Sequence, residues 1–106
     1  MGLFGSKNEK TERTVRITEL FTEEGLREIK EIVGPKVAGR EYGSQYMEMA
    51  SDIYKAACDA EKTYGKKELT KLIFATGAMT KLEPSLNPIL KPAIEKYQAM
   101  KKNKEL

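Results

Sequence analysis

Apolar and polar positions alternate early in the chain. In Arg13-Thr14-Val15-Arg16-Ile17-Thr18, Val15 and Ile17 point one way while Thr14, Arg16 and Thr18 point the other. That is the period-two pattern of a half-buried strand, expected here over about 14–18. A lone strand leaves its backbone groups unpaired, so the sequence calls for pairing with a second copy or another protein, or for no strand at all. The period then changes. Thr22 reads as a helix N-cap, with Glu23 and Glu24 at the positive helix start. Leu26, Ile29, Ile32 and Val33 make the apolar stripe of a short helix that Gly34-Pro35 is expected to end. Phe21, just before the cap, is placed to staple against Leu26.

Residues 34–43 read as a loop, after which Ser44 is expected to cap the longest helix, about 44–64, with Gly65 ending it. Within that stretch Tyr46, Ala50, Ile53, Ala57, Ala60 and Tyr64 recur at spacings of four and three. This is a coiled-coil-like seam with alanine at half its positions. Met47, Tyr54 and Cys58 form a second stripe, so the helix is expected to touch two neighbours and act as the spine. Lys67 to about Lys81 predicts a helix apolar on most sides, through Leu69, Leu72, Ile73, Phe74 and Met79. Pro84, Pro88 and Pro92 follow. Pro92 cannot donate to the Pro88 carbonyl, so a short turn and a last helix from about Pro92 to Lys102 are expected. The fold class is mostly α: four or five helices around a long central helix, with one short N-terminal strand. Residues 1–12, polar with two glycines, are expected to be disordered, leaving 13–106 as a single helical domain.

Composition narrows the function. The chain has 106 residues, 40% of them hydrophobic and 33% charged, which is ordinary for one globular domain. No apolar run approaches the roughly 18 residues of a membrane span. The start lacks a signal peptide's apolar core and Cys58 is the single cysteine, so a cytoplasmic protein without a membrane partner is expected. Met1-Gly2 with Ser6 does fit an N-acylation pattern. There is no histidine, which removes the usual general base near pH 7 and the commonest metal ligand. Cys58 lies among Ala56, Ala57 and Ala60 and reads as a small buried packing residue. No catalytic residue, metal or cofactor is therefore expected. The net charge of +3 permits nucleic-acid binding, and the lysines at 96, 101, 102 and 104 read as a solvated helix end.

Two functions follow as expectations. The alanine seam and the apolar helix offer more burial-type surface than short elements cover, and leftover apolar surface tends to become an interface. A protein acting through protein–protein contacts, most simply a homo-oligomer, is the leading expectation. Its interface candidates are Ala50, Ile53, Ala57 and Ala60 on the seam and Leu69, Leu72, Ile73 and Phe74 beyond it. The second rests on a resemblance. The order strand, capped helix, loop, second helix over residues 13–58 resembles the ribbon-helix-helix DNA-binding family, in which two chains pair their strands into a ribbon lying in the major groove. The resemblance implies that Thr14, Arg16 and Thr18 face base edges and that the backbone amides after Ser44 hold a phosphate.

Overall fold

The computed structural model describes residues 13–104; the segment 1–12 and its acylation pattern lie outside the described residues. In order come β1 (Val15–Arg16), a 3-10 turn (Ile17–Glu19), α1 (Glu23–Ala38) and α2 (Ser44–Cys58). After them follow β2 (Thr63–Tyr64), α3 (Lys66–Leu82), a second 3-10 turn (Pro84–Leu86) and α4 (Asn87–Lys102). The protein is thus mostly helical, with one short strand pair among the described residues. Successive helices pack on one another in chain order, α1 on α2, α2 on α3 and α3 on α4. Ile17, Ile29, Ile53, Leu69, Met79 and Leu90 fill the core between them.

The alternation at the start of the chain is real: Val15 and Ile17 are buried while Thr14, Arg16 and Thr18 are exposed. The strand is shorter than the pattern suggested, and its partner lies within the same chain. β1 pairs antiparallel with β2, Val15 opposite Tyr64 and Arg16 opposite Thr63. No second chain is needed to complete the pair, which corrects the expectation drawn from the sequence. The partner was hidden because residues 59–64 continue the helical spacing of the seam. Instead α2 ends at Cys58: Asp59 leaves the helical region at φ −126° and ψ 73°, and the Lys62 N–H closes a turn on the Asp59 carbonyl. An extended backbone at Tyr64 buries its ring beside Val15, and a tyrosine ring is a large apolar payload. Glu19 braces the turn after β1, accepting the Arg16 N–H at 2.9 Å and Arg13 Nη2 at 2.6 Å. The backbone hydrogen bond from Arg16, with help from the Arg13 guanidinium, holds its carboxyl below the ordinary carboxylate value.

The helix ends differ from expectation in three further places. Thr22 caps α1 as expected, its hydroxyl accepting from the Gly25 N–H at 3.0 Å, and Phe21 and Leu26 are both buried. Gly34-Pro35 does not end this helix, however; it runs on to Ala38. Pro35 and Glu31 are both exposed, so the hydrogen bond that Pro35 removes is lost on the solvent side of the helix, where it costs least. Gly34 has its own reason, since a Cβ there would come 2.8 Å from Tyr54 Cε1. The loop therefore shrinks to residues 39–43. It opens with a Schellman closure: Glu41 N–H to Lys36 O at 2.8 Å and Arg40 N–H to Val37 O at 3.0 Å. Second, Gly43 stands at the N-cap of α2, and Ser44 is the first helical residue without a capping bond. Third, α4 begins at Asn87 and carries Pro92 inside it. Pro88 and Pro92 are both exposed, so again the missing bond falls on the solvent side of the helix.

Candidate functional site

Helix α3 turns Leu69, Leu72, Ala75, Thr76 and Met79 inward. Its other side carries Thr70, Phe74, Gly77, Ala78 and Lys81 at spacings of three and four, one face of a helix. Phe74 is 70% exposed, the large hydrophobic side chain that the fold leaves in solvent among the described residues. Tyr46 and Met49 of α2 bank this face on one side, and Ile94 of α4 banks it on the other. With Ile73 and Leu82 they enclose an apolar groove of about 480 Å³. Its floor is low because Gly77 and Ala78 contribute little side chain. Lys81, near its C-terminal end, is the one charged side chain in the lining. It makes no ion pair among the described residues.

The interface candidates divide on this geometry. Ala50, Ile53, Ala57, Leu69 and Leu72 are buried in the chain's own core, because the alanine seam is where α2 meets its neighbours. Ala60 is half-buried in the turn after α2, outside the helix. Ile73 and Phe74 reach the groove. Sequence reasoning missed Met49, Gly77, Ala78 and Lys81. The spacing 74, 77, 78, 81 was there to be read, but glycine and alanine count as apolar without filling space, so the helix looked closed on that side.

The residues of the DNA-binding resemblance are not gathered. Thr14, Arg16 and Thr18 are exposed together at β1, with Arg16 Nη1 3.9 Å from Glu61. Ser44 begins α2, whereas β2 follows that helix's other end, and a helix of this length spans about 20 Å. Cys58 is exposed, not buried. It is one residue past the buried Ala57, a rotation of about 100° that carries it off the packed face. Arg27 and Lys30 of α1 line the surface beside it.

Two charged clusters lie elsewhere. Glu83 is buried, and its Oε2 accepts from Lys36 Nζ at 2.6 Å and from the Tyr42 hydroxyl at 2.8 Å. It ties the end of α1 and the following loop to the end of α3. Burial first, then the hydrogen bond to Glu83, pushes the Tyr42 hydroxyl well above its ordinary value. On the α2–α3 side, Lys71 Nζ lies 3.1 Å from Glu48 and 3.8 Å from Asp52. The hydrogen bond that Lys71 donates to Glu48, and then the charge of Asp52, raise the lysine's pKa. Among the described residues no group of three or more histidine, cysteine or acidic side chains is placed to hold a metal ion. No helix among them is long and apolar enough to cross a membrane. Comparison with protein-family models, with characterised proteins and with solved structures found no match to this chain.

Proposed function

We propose that this protein acts by docking another protein chain in the groove over α3, without chemistry of its own. One observation carries the reading: Phe74 is 70% exposed in the middle of an apolar groove that three helices build. Leaving a phenylalanine in water forgoes about 1.5–3 kcal/mol of burial free energy. A partner recovers it. The lining supports binding, since apart from Lys81 and the Tyr46 hydroxyl it is apolar, as partner-docking surfaces tend to be. The buried charge elsewhere braces the fold: Glu83 is held by Lys36 and Tyr42.

The test is site-specific photo-crosslinking in the cells that make the protein. A photoreactive residue at position 74 should give an adduct with a protein, and the same residue at Lys30, on the exposed side of α1, should not. Equal yields at the two positions, or no protein adduct at 74, would overturn the reading.

A further inference from the structure

Gly77 sits in the middle of α3, where glycine weakens a helix. The chain's other helical glycines have internal reasons: a Cβ on Gly25 would meet Ile89 at 2.8 Å, and one on Gly34 would meet Tyr54 at 2.8 Å. A Cβ on Gly77 would meet nothing within 4 Å, and its φ is not positive. Nothing in the packing of the described residues asks for glycine there. A notch of this kind on an exposed helix face serves a side chain arriving from outside.

That side chain is on the same face. Phe74 precedes Gly77 and Ala78 by one helical turn, so knob and hole lie side by side on one surface. A two-fold axis at the level of Thr76, midway between Phe74 and Ala78, sets two α3 helices antiparallel. It carries each Phe74 into the Gly77–Ala78 notch of the other copy. Closed, self-complementary contacts of this kind are how two-fold dimers are built.

The charges agree with the same axis. Lys81 lacks an ion-pair partner among the described residues, at one end of the face. At the other end Glu48 and Asp52 share the single Lys71, and the Glu48 side chain is 75% exposed. Lys71 and Lys81 lie about 15 Å apart along the helix, with Thr76 again midway. The axis therefore brings each Lys81 to the acid-rich end of the other copy. We infer that the groove's occupant is a second copy of this chain, its α3 antiparallel to the first, with Phe74 seated against Gly77 and Ala78 and Lys81 facing Glu48. This inference rests on the docking reading above and names its partner.

Sedimentation equilibrium of the full chain tests it. The wild type should approach twice its 12.0 kDa as concentration rises through the micromolar range. Phe74→Glu and Gly77→Leu should each stay monomeric. Both sites open to solvent, so circular dichroism and the melting temperature should show these variants folded. Lys81→Glu should weaken association about tenfold, and adding Glu48→Lys should recover most of that loss. Three results would each overturn the inference: a wild type that stays at 12.0 kDa, a dimer that survives Phe74→Glu, or a charge-swapped double variant as weak as Lys81→Glu alone. A monomeric wild type that still crosslinks to a different protein from position 74 removes the second copy and leaves the docking reading standing. Absence of both signals removes both.

Discussion

Glu83 is the one charged side chain buried among the described residues, and what surrounds it shows how the fold keeps such a group. Its carboxylate takes an ammonium at 2.6 Å and a phenol at 2.8 Å. An unpartnered buried charge is costly, whereas a hydrogen bond to a charged group is worth about 1.5–3 kcal/mol. Lys36 is partly exposed, so its share is discounted for solvent screening. Replacing Tyr42 by phenylalanine should therefore cost about 1–2 kcal/mol in urea unfolding. The pH dependence follows from the same contact. The folded chain keeps the Tyr42 proton above its ordinary value of 10.0, and the unfolded chain gives it up there. The contribution is complete below pH 10 and falls away as pH rises beyond it. Tyr42→Phe should make that alkaline fall shallower, with the part due to Tyr64, also raised by burial, remaining. An identical slope in both proteins would contradict the assignment. Arg40 gives the opposite sign. It sits at φ 53° in the Schellman closure of α1, a conformation that favours glycine. Arg40→Gly should gain roughly 0.5–1 kcal/mol, read as a higher melting temperature.

At the scale of the element, the glycines of two helices make a paired test. Gly77→Ala should raise monomer stability by about 0.5–1 kcal/mol in dilute solution, because the added methyl meets open space. Gly34→Ala should show none of that gain, because the methyl runs into the Tyr54 ring. The strand offers another contrast. Val15→Asp should destabilise the chain by uncovering the core, while Arg16→Ala should leave the fold alone, since Arg16 is exposed with a long 3.9 Å ion pair. If β1 reads DNA, Arg16→Ala should cost specific binding about 1–3 kcal/mol; we expect no preference for one duplex over a scrambled one at physiological salt. These elements also show what the sequence could reveal. Local alternation found β1, and the Thr22 cap with its apolar stripe found the start of α1, because both signals are carried by neighbours in sequence. Residues 59–64 defeated the same reading. Whether Tyr64 closes a helix or pairs with Val15 depends on a partner nearly fifty residues away, and helical spacing there was coincidence. Pro35 and Pro92 misled for a related reason. A helical proline removes one hydrogen bond and crowds the carbonyl four residues back. Both prolines and the residues four before them are exposed, and that placement depends on packing by elements distant in sequence.

For the whole molecule, the division between core and surface separates two kinds of apolar residue that looked alike in the sequence. The alanine seam is internal: Ala50 and Ala57 are spent on joining α2 to its neighbours. The Phe74 face is what remains when α3 has turned its better half inward. Substitution by glutamate tells the two apart. Ala57→Glu forces a larger, charged side chain into the packed contact of α1 with α2, where Ala57 is buried. It should cost several kcal/mol and unfold much of the population at room temperature. Phe74→Glu places the same charge in solvent on a helix that tolerates glutamate well. Its unfolding free energy in dilute solution should stay within about 0.5 kcal/mol of the wild type, even as association through the groove is lost. The measurement is urea unfolding of both variants at a concentration where the wild type is monomeric. A folded Ala57→Glu would show that α2 is loosely packed and the core misplaced. A Phe74→Glu variant that loses several kcal/mol while monomeric would mean that the phenylalanine is already covered by its own chain, and no docking face would remain.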